Sequence, residues 1–401
     1  MLSDNYSKSL MYSTVINNSL IDSKCISELI ESGVMDTYKD IFEVIRKGCI
    51  DGDVSDKTKF KIEDANSHLG DLIARYEHYE EVLRRNGIKV ISDESDYYPD
   101  IWKDLKGMPR VIYIRGDENA LKKIDECGSV SIVGSREPGR YSEYATADIT
   151  SKLTEKGIVI VSGMALGIDR AAHKAALDSG GVTVGVMPGG CEQIYPHQNE
   201  DIYNRMIREG SAVISEMPPE SGVKKQYFPS RNRLISALSD CCLIMEAGEF
   251  SGTLHTASFA AYQGRDVYVL PNNIYAGNCI GGLKLINDGA FVLLSAKDVI
   301  DSVAERLLYR KLNSGLMTDA EEGRARLESI RRSLDENPEE VPDYDVSQLI
   351  LSELEIRPMT ADDICSKLKI QFYRVSQILS EMELNGTLHL ERGKYALTMS
   401  H

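Results

Sequence analysis

Ser129-Val130-Ser131-Ile132-Val133-Gly134-Ser135-Arg136 is the stretch on which the reading of this chain turns. A short β-branched run stops at a glycine, a hydroxyl and a guanidinium follow, and a helical pattern begins near Tyr141. Strand, tight loop and helix in that order deliver backbone N–H groups to an anion. The pattern recurs. Val159-Ile160-Val161 leads into Ser162-Gly163-Met164-Ala165-Leu166-Gly167-Ile168-Asp169, and Val182-Thr183-Val184-Gly185-Val186-Met187 into Pro188-Gly189-Gly190. Cys241-Cys242-Leu243-Ile244-Met245 leads into Glu246-Ala247-Gly248 and Ser251-Gly252-Thr253. In a parallel sheet with helical crossovers these turns emerge together at the carboxyl ends of the strands. Four small, donor-rich loops on one edge describe a site for a polyanion or a nucleotide.

Outward from this stretch, the alternation predicts strands at 129–133, 158–161, 182–187, 212–214, 241–245 and 267–270. Helices are expected at 141–156, 168–179, 199–209, 231–239 and 253–262, and Phe291-Val292-Leu293-Leu294 reads as a last strand or a lead into the next helix. The fold class is α/β, with a parallel sheet core. Residues 1–85 read as a helical N-terminal domain and 86–300 as the central α/β domain, whose Ile88-Lys89-Val90-Ile91 and Val111-Ile112-Tyr113-Ile114 add a small β element beside the main sheet. Residues 301–342 read as a charged helical linker, closed by Asn337-Pro338-Glu339-Glu340-Val341-Pro342. Residues 343–401 give three helices, one capped by Thr360, and a hairpin turning at Arg392-Gly393: a winged-helix domain. Its presumed recognition helix offers only Lys369, Gln371, Tyr373, Arg374 and Gln377 as polar contacts, so protein docking or packing is favoured there over DNA binding.

With 401 residues the chain fits two or three domains, and its net charge of −16 counts against a generic nucleic-acid binder. The charge is uneven: −7 over residues 1–128, −3 over 129–300 and −6 over 301–401. Arginines gathered at one edge of the nearly neutral middle can still make a positive pocket. The eight cysteines form no C-x-x-C pair and no zinc spacing, so neither a disulfide framework nor a metal site is expected. With no signal-peptide core and no run of 18 apolar residues, a cytoplasmic, non-membrane protein is expected.

Each loop carries its own chemistry. Gly134, Ser135 and Arg136 combine close approach, a hydroxyl donor and a bidentate guanidinium. Ser162, Gly163 and Gly167 let a loop fold beneath a ligand. Asp169 opens the next helix, as cap or ligand contact, with His173 on the same helix face. Gly189 and Gly190 make another cradle. Lys224, Lys225, Phe228, Arg231, Asn232 and Arg233 form the densest basic–aromatic patch, in which cations meet phosphates while a base stacks on a ring. Two arginines at a helix start oppose the macrodipole, a conflict that a bound anion removes; the alternative is a core Phe228 and an arginine paired with Glu216 or Glu246. Ser251, Gly252 and Thr253 make a further anion-friendly helix start. Glu246 reads as orienting Arg231 or Arg233, or as a general base. The Walker pattern is absent.

In this order and combination, these motifs resemble the bacterial DNA-processing protein A family, also called DNA-protecting protein or Smf. The match runs over Ile132–Arg136, Val161–His173, Gly189-Gly190-Cys191-Glu192-Gln193-Ile194-Tyr195-Pro196, Ser215-Glu216, Phe228–Ile235, Glu246–Thr253 and Gly264-Arg265-Asp266-Val267. The resemblance implies an extended Rossmann-like domain that dimerises and binds single-stranded DNA in a positive pocket, shields incoming strands in natural transformation and helps load the RecA recombinase. It carries over Arg136, the Lys224/Lys225 region, Phe228, Arg231 and Arg233 as binding positions, and no catalytic residue. The chain departs from the family at Leu166, where arginine is usual, and at Asn272, where Pro271 is usually followed by glycine. The tandem glycines of a helix-hairpin-helix are not visible in residues 1–60.

The reading is a non-enzymatic, cofactor-free mediator that binds single-stranded DNA as a homodimer. Its rivals are a nucleotide or phosphoribosyl hydrolase or transferase using Glu246 or Asp169, and a protein-binding adapter.

Overall fold

The computed structural model describes residues 7–18, 21–50, 52–103, 105–313, 330–334, 341–354, 358–384, 387–391 and 393–397. The chain falls into two compact units, Met1–Val303 and Ala304–His401.

Five helices open the first unit: α1 (Lys8–Asn17), α2 (Ser23–Glu31), α3 (Ile41–Lys47), α4 (Asp56–Ser67) and α5 (Leu69–Asn86). Then come β1 (Ile88–Ser92), β2 (Val111–Gly116) and α6 (Asn119–Cys127). The alternating region follows as β3 (Ser129–Gly134), α7 (Arg140–Glu155), β4 (Val159–Ser162), α8 (Ile168–Asp178), β5 (Thr183–Val186), α9 (Glu200–Arg208) and β6 (Ala212–Ser215). It continues through α10 (Tyr227–Ala237), β7 (Cys241–Glu246), α11 (Thr253–Tyr262), β8 (Asp266–Val269), α12 (Ile280–Asn287), β9 (Phe291–Val292) and α13 (Ala296–Asn313).

All nine strands join one sheet in the order β1-β2-β6-β5-β4-β3-β7-β8-β9. From β6 to β9 every pairing is parallel. The order reverses at β3: successive strands β4, β5 and β6 build to one side, β7, β8 and β9 to the other. That reversal opens a crevice at the carboxyl ends of β3 and β7, where open α/β sheets hold ligands. The sheet's period of two explains its burial on both faces. Val133, Val161, Val184 and Ile244 meet α6, α10 and α11 on one face, while Val130, Ile132, Ile160 and Leu243 meet α7, α8 and α13 on the other.

Two expectations are corrected. β1 and β2 do not lie beside the main sheet; they extend it as antiparallel strands, with β2 paired to β6. The helix expected from 231 begins four residues earlier, at Tyr227. Helices α1–α5 share a core with Ile88, Val111, Tyr113 and Cys191. Phe291-Val292 is a strand, pairing with Tyr268-Val269.

The second unit carries α14 (Asp343–Leu354), α15 (Ala361–Leu368), α16 (Phe372–Leu384) and a hairpin of β10 (Leu388–Glu391) with β11 (Lys394–Leu397). Thr360 caps α15 in a reciprocal box with Asp363. Val346, Ile350, Ile364, Val375, Leu379 and Leu388 close its core. Arg374 is turned inward, donating to the Asp343 carboxylate and the Val341 carbonyl. Most of the expected linker, Asn337–Glu340, the hairpin residue Arg392 and residues 314–329 lie outside the described residues.

Candidate nucleic-acid interface

The β3, β4, β5 and β7 loops meet at the crevice, and their glycines explain how closely. Gly167 has φ +74°, a conformation favoured by glycine, and a Cβ added to it would stand 2.4 Å from the Ser135 carbonyl oxygen and 2.7 Å from that of Arg136. A Cβ on Gly134 would stand 2.6 Å from Ile168. The β4 loop is thus stacked on the β3 loop, which holds Arg136 at the rim.

Polar groups fix the β4 loop from three directions. Asp169 Oδ2 accepts from the amides of Gly163 (3.0 Å) and Ala165 (3.3 Å). Asn199 Nδ2 donates to the carbonyls of Met164 (2.7 Å) and Ala165 (2.9 Å). Arg231 Nη1 donates to the Gly163 carbonyl (2.5 Å) and to the Val186 carbonyl at the end of β5. Asp169 therefore orients a loop. It does not pair with His173, whose Nδ1 instead meets Thr183 Oγ1 at 2.7 Å in the core.

Arg231 differs most from expectation. It lies in the second turn of α10 and is only 5 % exposed, so it is a buried cation rather than a surface one. Burial pulls its guanidinium down to about 10, against the opposing pull of Asp169. Burial likewise raises the Asp169 carboxyl, and Arg231 limits that rise. Arg233 pairs with Glu216, the alternative that the sequence left open. Glu246 corrects its expected role: it touches neither arginine. Its Oε2 accepts from the Gly139 amide (3.0 Å) and Ser142 Oγ (2.7 Å), and its Oε1 from Asn278 Nδ2 (2.7 Å). It ties the start of α7 to the loop after β8.

Phe228 is the meeting point. The exposed Arg136 holds its Cζ 5.5 Å from the ring centroid, and Arg231 Cζ lies 5.8 Å from the same centroid. Both separations fall within cation–π range. Tyr195 meets Phe228 edge-on with centroids 6.0 Å apart. Lys224 and Lys225 stand exposed one turn before the ring, Lys224 Nζ lying 5.6 Å from the Tyr227 centroid. A half-exposed ring is thus set among three accessible cations and one buried cation. That arrangement can stack a base and neutralise phosphates on either side.

Most of the other expected positions are engaged by the protein's own groups. Ser162 Oγ donates to the Ile132 carbonyl at 2.6 Å, so its hydroxyl faces the sheet. Gly189 abuts the Ser221 carbonyl, and Gly190 the Glu192 carboxylate, so their missing side chains admit the protein's own acceptors rather than a phosphate. Ser135 Oγ accepts from the Glu137 amide (3.1 Å), Ser251 Oγ from the Thr253 amide (3.2 Å), and Asn232 Oδ1 from Arg231 Nε (3.2 Å). Gly252 is exposed ahead of the buried Thr253. Leu166 is half-buried within the β4 loop. Asn272 Nδ2 donates to Ser142 Oγ at 3.2 Å, joining the bonds around Glu246. Two contributors had been missed. Tyr195 and Asn199 follow the Gly189-Gly190 turn, and the aromatic-proline pair Tyr195-Pro196 beside that turn was the available signal.

The fold is of the extended α/β class, with a basic–aromatic rim at the carboxyl edge of its sheet. A sequence profile described as DNA recombination-mediator protein A matches residues 89–304, and one described as the DprA winged helix domain matches residues 335–394. The chain belongs to the DNA processing protein A family, DprA or Smf. It is 38% identical over 223 residues to the DNA processing protein DprA of Bacillus subtilis, covering 56% of this chain and 74% of that protein. It is 36% identical over 228 residues to protein Smf of Synechocystis, covering 57% of each. The X-ray structure of DNA processing protein A from Streptococcus pneumoniae aligns with a TM-score of 0.57 and 26% identity, covering 74% of this chain and 98% of that one.

Proposed function

We propose that this protein binds single-stranded DNA at the carboxyl edge of its sheet, without a chemical step, and works as a dimer that shields incoming DNA and helps load the RecA recombinase in natural transformation. The observation that carries this reading is the shared position of Arg136 and Arg231 over one Phe228 ring, with Lys224 and Lys225 beside it. Membership of the DNA processing family supports the same role. Phosphates run past Arg136, Lys224 and Lys225, while bases stack on Phe228 and Tyr195. Asp169 and Glu246 already accept bonds that hold loops in place, which favours positioning over acid–base work. The acidic remainder of the molecule limits loose adhesion to duplex DNA.

For the dimer we propose the far edge of the sheet. The two-residue strand β9 exposes Phe291 and Val292, and Leu294 beside it is 80 % exposed. An unpaired apolar edge is suited to a second copy. Among the described residues no helix is long and apolar enough to cross a membrane; a cytoplasmic location is part of the proposal. The test is anisotropy of labelled oligo-dT against a salt series, for the native protein and Arg136→Ala. Equal affinity of the two at low salt would sink the site.

A further inference from the structure

The crevice has a second bank. Four bonds seat the first turn of α7 against the loop after β8: Glu246 holds Gly139, Ser142 and Asn278, and Ser142 also receives Asn272. Neither element covers the other's outward face. Tyr144 is 75 % exposed and Tyr141 53 %, three residues apart and so on one face of α7. Across the join, Tyr275 is 89 % exposed, and Phe250 on the β7 loop 96 %. Such rings are not left in water for stability; exposed aromatics on elements joined by hydrogen bonds mark a candidate interaction site.

We propose that this bank is a second base-stacking platform, which carries a single strand from Phe228 past Arg136 onto Tyr141, Tyr144 and Tyr275. The inference rests on the site proposed above and extends it across the point where the strand order reverses. Three observations choose a nucleic acid over another occupant. Arg136, which already faces the Phe228 ring, begins the loop that ends in α7, so the two banks are continuous. Exposed Arg140 stands at the start of the same helix, next to Tyr141. Glu137 and Glu143 bring the net charge of residues 136–144 to zero, so the tyrosine face offers stacking surface to bases rather than further phosphate contacts. Stacking of this kind tolerates any sequence, because every base has a π-face.

The test compares labelled oligo-dT of about 6 and about 20 nucleotides, spanning short and long site sizes. Tyr141→Ser/Tyr144→Ser should weaken the long oligomer about tenfold, leave the short one unchanged, and leave the salt slope unchanged. Tyr275→Ser, on a separate element, should act in the same direction. Circular dichroism verifies that each variant is folded. Undiminished binding of the long oligomer by both variants overturns the platform and leaves the face to a protein partner. Equal weakening of both lengths also overturns it, since the tyrosines would then lie within the first site. Arg136→Ala, read on the short oligomer alone, tests the first site separately, so the two failures are told apart by which oligomer responds.

Discussion

The guanidinium of Arg231 lies against Gly163: a Cβ added to that glycine would stand 2.7 Å from Nη1 and 2.8 Å from Cζ, and the two residues are joined by a 2.5 Å hydrogen bond. This contact links the β4 loop to α10 and sets the floor under Phe228.

Gly163→Ala should therefore cost stability by displacing Arg231, by roughly 1–3 kcal/mol as for other overpacked interiors. Arg231→Ala should cost more, about 3–5 kcal/mol, because it strips the buried Asp169 of its counter-charge and two carbonyls of their donor. Urea unfolding reads both. Arg231 is thus a structural residue, 5 % exposed, as well as a neighbour of the proposed site. A fully stable Arg231→Ala protein would contradict the placement.

Arg136→Ala should leave stability within about 0.5 kcal/mol, as for exposed positions in general. If the proposed site is right, oligo-dT affinity should fall and the salt slope shrink by about 0.7 for the single phosphate released. Phe228→Ala should lower affinity with the slope preserved. The pair of measurements separates charge from stacking.

His173 is fully buried, and burial, aided by Arg231, lowers its imidazole to about 3. The folded state thus holds it neutral, while the unfolded chain protonates near pH 6.5. Stability from this group is complete above about pH 6.5 and is lost as pH falls toward 3, at up to about 1.4 kcal/mol per pH unit. Asp169 and Glu216, both raised by burial, contribute with the opposite sign from the ordinary carboxyl range upward. Chemical unfolding of native protein and His173→Asn from pH 7 down to 4 should show a shallower acid limb in the variant. Identical limbs would reject the assignment.

Leu294→Asp with Phe291→Glu should turn the proposed dimer into a monomer without unfolding it, since both side chains are already largely in water. Light scattering across a concentration series measures this. An unchanged mass would move the interface elsewhere.

Much of this arrangement was legible because strand starts and loops are written locally. Val130 to Gly134 and Cys241 to Glu246 are runs whose composition alone specifies a buried strand and its exit. The start of α10 was not legible, because Pro229 reads as a breaker. It sits in the first turn, where its missing N–H has no helical partner to lose. Nor could spacing tell which arginine is buried. Arg231 is decided by the carbonyls of Gly163 and Val186, 68 and 45 residues away, and Arg233 by Glu216. Glu246 was misassigned for the same reason: its partners lie on α7 and beyond β8, elements whose approach no local pattern encodes. The antiparallel pairing of β2 with β6 is likewise a long-range choice.

The double anchoring of Arg231 to the ends of β4 and β5 has a kinetic meaning as well. A ring backed by a cation that two neighbouring strands already clamp has its pose set in the empty protein. At the proposed site an arriving nucleotide would then give up only its own freedom, and encounter rather than rearrangement would govern how fast the complex forms.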